Sequence, residues 1–119
     1  MLWQFVALLA VHWLADFVLQ THWQASNKSK DHWALLYHVN TYTLVLMVAS
    51  LLLFGVQGVA FALVNGALHL ITDYFTSRWS SRLWAKQEWH TFFVVIGIDQ
   101  LIHQVTLAAT FAFIIHGAA

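Results

Sequence analysis

At 119 residues the chain is long enough for a single domain, and it is 61% hydrophobic but only 8% charged, whereas a soluble domain carries about 25% charged residues. That balance excludes an ordinary water-soluble fold and makes the lipid bilayer the main solvent and first partner. Five basic and five acidic residues cancel, so no basic face is available for nucleic acid. With no cysteine, any metal must be held by nitrogen and oxygen.

Crossing a bilayer takes roughly 20 mostly apolar residues, and four stretches approach that length: 2–20, 33–54, 59–77 and 91–116. The expected fold is all-α, a polytopic membrane protein with four transmembrane helices in a bundle, forming one domain over residues 1–119. The first stretch is read as a span and not as a cleaved signal peptide, because no Lys or Arg precedes Lys28 to form a positive n-region.

All five basic residues fall in two connections, Lys28 and Lys30 in one and Arg78, Arg82 and Lys86 in the other. The positive-inside rule places both in the cytoplasm of a bacterial-type inner membrane, with both termini on the outer side. Trp23, Trp33, Trp79, Trp84 and Trp89 flank the same connections, as rings at headgroup level do. Over 78–89, Arg78, Arg82 and Lys86 recur every four residues. A short interfacial helix and a basic loop both fit that spacing.

Residues 10–17 (Ala-Val-His-Trp-Leu-Ala-Asp-Phe) are similar to residues 67–74 (Ala-Leu-His-Leu-Ile-Thr-Asp-Tyr). Each copy precedes a basic connection and a returning helix, so the chain reads as two parallel helical hairpin repeats; coincidence is the rival explanation of one short match.

The polar residues inside the apolar segments are mainly His and Asp in helix-spaced pairs: His12 with Asp16, His69 with Asp73, and Asp99 with His103, joined by His38. Residues four apart share a helix face, so each pair projects an imidazole and a carboxylate together. Counted from the inner helix ends, most of the seven lie roughly 6–12 Å deep, with His103 deeper. Four helices thus converge on one layer.

Burying a carboxylate near a membrane centre costs about 2.5–3.5 kcal/mol, and neighbouring carboxylates repel. No Lys or Arg lies inside the four segments, so compensation is expected from protonated histidines or from metal. Seven such side chains suit a two-ion centre, with His12, Asp16, His38, His69, Asp73, Asp99 and His103 as ligands. One of Asp16, Asp73 and Asp99 would serve as general base in place of ligation. Mixed His/Asp ligation fits zinc, and also manganese, iron or nickel. Gln20, Lys28, Tyr42, Asn65 and Gln100 are candidates for supporting the ligands or holding substrate. His22, His32, His90 and His116, at helix ends or in connections, read as hydrated interfacial side chains.

The motifs His12-Trp-Leu-Ala-Asp16-Phe-Val-Leu-Gln20, Lys28 with Lys30, Leu35-Leu36-Tyr37-His38, His69-Leu-Ile-Thr-Asp73-Tyr74 and Asp99-Gln100-Leu-Ile-His103 together resemble the domain-of-unknown-function 3307 family of small integral membrane proteins, over nearly the whole chain. The resemblance implies membership and little chemistry. More loosely, the His-x-x-x-Asp helices are similar to those of membrane metal-dependent hydrolases and of zinc-dependent phospholipase C, by analogy. The leading expectation is a metal-dependent hydrolase open to the cytoplasmic face, acting on a lipid-like or phosphorylated small-molecule substrate, with a homo-oligomer compatible. The alternatives are a metal-ion or proton transporter and a non-catalytic membrane protein with a His/Asp polar core.

Overall fold

The computed structural model describes residues 1–117, which are all-α, 87% helical and without strands. Helix α1 (Leu2–Trp13) runs directly into a single π-helical turn, Leu14–Val18. A short helix α2 (His22–Asn27) follows, then α3 (His32–Phe54), α4 (Gln57–Ala85) and α5 (Trp89–Thr110), the last ending in a second π turn, Phe111–Ile115.

Local chemistry fixes the boundaries. Thr21 and Gln24 form a reciprocal capping box at the start of α2, satisfying backbone N–H groups that have no partner within the helix. The Asp31 carboxylate accepts the Trp33 N–H at 2.8 Å and so starts α3. Gly55, at φ 66°, ends α3 in the left-handed region where a side chain is strained. Across that turn a Cβ on Gly58 would overlap the Ser50 backbone, and one on Gly66 would overlap Thr43. These two glycines let α3 and α4 pack close together.

The helix-spaced His and Asp side chains are turned inward, and many large apolar side chains outward. His12, Asp16, His38, Asn65, His69, Asp73, Asp99 and His103 are all buried, while Leu44, Leu52, Phe75 and Leu101 stand more than half exposed. An apolar core of Leu8, Ala15, Tyr42, Leu46, Phe61, Ala62, Leu107 and Phe111 fills the half of the bundle nearest the α3–α4 turn. Three helices, His32–Phe54, Gln57–Ala85 and Trp89–Ile115, are long and apolar enough to cross a membrane. Exposed apolar surface of this kind fits an integral membrane protein.

The first apolar helix, Leu2–Val18, is shorter than those three, and it stops two residues before the expected end at Gln20. The third expected segment, 59–77, is in fact part of one helix of 29 residues, about 44 Å long at 1.5 Å per residue. Residues 78–85 are therefore the outgoing end of α4 and not a separate interfacial helix, because no Gly or Pro interrupts them and Ser77 and Ser80 keep the buried stripe running. The α4 end closes at Gln87, a non-glycine residue at φ 59°.

Candidate metal centre

Asp16 sits in the π turn that ends the first helix, His38 one and a half turns into α3, His69 and Asp73 one turn apart on α4, and Asp99 and His103 one turn apart on α5. All six converge. The ligand atoms of Asp16, His38, His69 and Asp73 lie within 4.8 Å of one another, as do those of Asp16, Asp99 and His103. This buried His/Asp cluster could hold a metal ion.

The tetrad is tight. Nε2 of His38 lies 3.0 Å from Asp16 Oδ1, 3.1 Å from His69 Nε2 and 3.3 Å from Asp73 Oδ2. Nε2 of His69 lies 3.4 Å from each of the same two carboxylate oxygens. Four ligands at the zinc bond length of about 2.0–2.1 Å stand about 3.3–3.4 Å apart at the corners of a tetrahedron. Hydrogen bonding accounts for only part of this convergence, because each Nε2 carries at most one proton and so donates once. His69 is held by stacking, 4.0 Å from the Tyr42 ring and 4.2 Å from the His103 ring between centroids. Nδ1 of both His38 and His69 is buried without a hydrogen-bond partner among the described residues, so packing orients these rings where an acceptor usually would.

The second group shares Asp16 with the first and lies against Asp73. His103 Nε2 is 3.1 Å from Asp73 Oδ1 and 3.3 Å from Asp99 Oδ1, so Asp73 turns one oxygen to each group. The Thr76 hydroxyl donates to Asp99 Oδ1 at 2.6 Å. Gln100 Nε2 donates to Asp16 Oδ2 at 3.1 Å and to Asp99 Oδ2 at 3.0 Å. Thr76 was not singled out from sequence, although it lies three residues after Asp73 on the same helix face.

His12 belongs to the cluster but to neither group of ligands. Because the Gln100 amide nitrogen serves the two carboxylates, its oxygen must accept from His12 Nε2, 2.9 Å away. Nδ1 is then the acceptor for the Tyr42 hydroxyl at 3.0 Å. Both ring nitrogens are engaged by neutral partners, and Nε2 stays 3.6 Å from Asp16.

Lys28 corrects the charge expectation. The connection after α2 folds its side chain inward, placing Nζ 3.0 Å from Asp73 Oδ2. A cation from outside the segments therefore does part of the work assigned to histidines and metal. Burial alone would lower the Lys28 pKa, but the carboxylates of Asp73 and Asp16 outweigh it and hold it above the ordinary value. Of the other supporting candidates, Tyr42 and Gln100 touch the cluster as described. Asn65 instead donates to Phe61 O and Thr110 Oγ1, both at 2.8 Å, which ties α4 to α5 away from the cluster. Gln20 lines a cavity beside the ligands, its Oε1 without a hydrogen-bond partner among the described residues. His22, His32, His90 and His116 are exposed.

The chain belongs to the family described as protein of unknown function (DUF3307), whose family model matches residues 4–118. No curated protein and no solved structure matches it.

Proposed function

We propose that this protein is a membrane-embedded, metal-dependent hydrolase. The observation that carries the reading is the convergence of His38 Nε2, His69 Nε2, Asp16 Oδ1 and Asp73 Oδ2 at 3.0–3.4 Å, beyond what shared protons explain. The tetrad offers four protein ligands, as a closed structural site does, whereas Asp16, Asp99 and His103 offer three and leave a position for water or substrate. The reaction belongs at the triad. A divalent ion bound there would act as a Lewis acid and lower the pKa of its water.

Charge supports this division. Asp16, Asp73 and Asp99 set against Lys28 leave two negative charges, which one divalent ion in the tetrad cancels. A second ion in the triad then calls for anionic company, hydroxide or a phosphoester oxygen, and that matches the substrate class. Asp99 is the carboxylate least committed to the tetrad and lines the adjoining cavity, so the oxygen it does not give to the triad ion is the one placed to take a proton from attacking water. Gln100 and Thr76 fix its orientation; Lys28 holds Asp73. Zinc is favoured for both positions because it accepts tetrahedral His/Asp ligation, with manganese, iron and nickel as competitors.

In the same reading Leu2–Val18 makes a fourth crossing. Its 12 α-helical and 5 π-helical residues reach the lower end of the spanning range, about 17 residues. The termini then face outward, and the Lys28 and Lys86 connections face the cytoplasm of a bacterial-type inner membrane. The two His-x-x-x-Asp helices would be equivalent members of two parallel hairpins.

The test is turnover. Metal-loaded protein is incubated with a chromogenic phosphodiester and with phospholipid vesicles, and product is measured for the unmodified chain and for Asp99→Asn. The proposal expects metal-dependent release that falls at least about 100-fold in the variant. Metal-bound protein that hydrolyses neither substrate overturns it.

A further inference from the structure

Between the π turn of the first helix, α2 and the facing ends of α4 and α5 lies a cavity of about 490 Å³, within the range of roughly 300–1,000 Å³ of small-molecule sites. Asp16, Asp99 and Gln100 form one wall, so the cavity adjoins the triad directly. Most of the remaining polar wall is hydroxyl: Ser77, Ser80 and Ser81 from α4, Ser26 and Ser29 from the first connection, with Gln20 beside them.

Serines along a helix do not make a site, but two residues of the wall each carry an unpartnered polar atom. The Ser77 hydroxyl, on a residue only 8% exposed, and Gln20 Oε1 are both buried without a hydrogen-bond partner among the described residues. Buried polar atoms are nearly always partnered, and leaving one unmade costs about 1–3 kcal/mol. Both residues line this cavity.

Charge and shape select the ligand class. Lys28 is the one cation on the wall and is already paired with Asp73, while Asp16 and Asp99 both present carboxylates. Such a wall repels an anion unless metal is bound. It suits groups that donate and accept at once, which are alcohols. Trp84 and Phe92, meeting edge to face at 5.1 Å, and Phe17 also line the cavity and give apolar surface for C–H faces and for an acyl chain.

We infer that this cavity seats the polyhydroxylated head group of a membrane amphiphile, gripped by Ser77, Ser80 and Gln20 and presented to Asp16 and Asp99. The role of that binding rests on the hydrolase reading above; the binding itself needs no metal.

Three probes share a dodecyl tail and differ in the head: dodecyl glucoside, dodecyl phosphate and dodecyltrimethylammonium. Each is titrated against the full chain in amphipol, stripped with chelator, and bound ligand is counted by intact-complex mass spectrometry. One glucoside per chain is expected, about tenfold tighter than either other probe, with the preference lost in Ser77→Val/Ser80→Val and, independently, in Gln20→Leu. Tightest binding of the ammonium or the phosphate probe would overturn the inference, as would unchanged glucoside affinity in helical, folded variants. Selective glucoside binding by protein that takes up no metal would uphold the pocket and remove the hydrolase reading. Metal uptake with no preference among heads would do the reverse.

Discussion

Lys28 Nζ stands 3.0 Å from Asp73 Oδ2, so a residue of the first connection neutralises a carboxylate in the middle of α4. The Asp73 side chain is 1% exposed, and removing the partner of a buried charge costs about 3–5 kcal/mol. Lys28→Met is therefore expected to lower the thermal midpoint of chelator-treated protein strongly. Added zinc, neutralising Asp73 by another route, should close most of that gap. An equal deficit with and without metal would mean that Lys28 and the ion do not share Asp73.

His12 and His69 look equivalent as the first members of their His-x-x-x-Asp pairs, yet only His69 offers a nitrogen to the tetrad. His12→Asn should keep most of the bound metal while losing stability, because the Tyr42 hydroxyl and the Gln100 amide lose a buried partner at about 1–3 kcal/mol. His69→Asn should lose the metal. Equal metal loss in the two variants would put His12 among the ligands.

The three helical glycines differ sharply. Gly58→Ala drives a methyl group into the Ser50 backbone, which cannot yield as a side chain could. A destabilisation of about 1–3 kcal/mol follows. A Cβ on Gly97 would meet open space among the described residues, so Gly97→Ala should be neutral or stabilising by up to about 1 kcal/mol. Denaturation midpoints of the two variants in one detergent check the ranking.

Because the chain has no cysteine, single-cysteine variants report sidedness cleanly. With four crossings, Leu2→Cys and Gln57→Cys are labelled by an impermeant maleimide from one side of sealed vesicles, and Lys30→Cys and Lys86→Cys from the other. Labelling of positions 2 and 30 from the same side would leave the first helix lying along the interface.

The ligand layer was legible because membrane insertion penalises each polar side chain, so that His/Asp pairs at helical spacing stand out from an apolar background. Asp16, His38, His69, Asp73, Asp99 and His103 are brought together as that spacing suggests. What periodicity could not reveal is tertiary. The inward reach of Lys28 depends on how a connection folds across α4, and the use of both His12 nitrogens depends on the 88-residue separation that Gln100 bridges. The π turn holding Asp16 carries no Gly or Pro to announce it. The end of α4 was not legible, because basic residues and tryptophans resemble a connection even where the helix continues to Ala85. Asn65 keeps helical register with His69 but points to Thr110 instead, since sharing a face does not ensure sharing a depth.

The central claim is that the His38/His69 convergence holds a metal ion. Purifying the chain without chelator and determining metal per mole by plasma mass spectrometry tests it most directly, with His69→Ala and Asp73→Ala prepared in parallel and checked for helical content. Between one and two equivalents of a single divalent metal are predicted for the unmodified protein, and a loss of at least one in each folded variant. The same trace content in all three proteins would contradict the metal centre and leave the cluster as a hydrogen-bonded polar core.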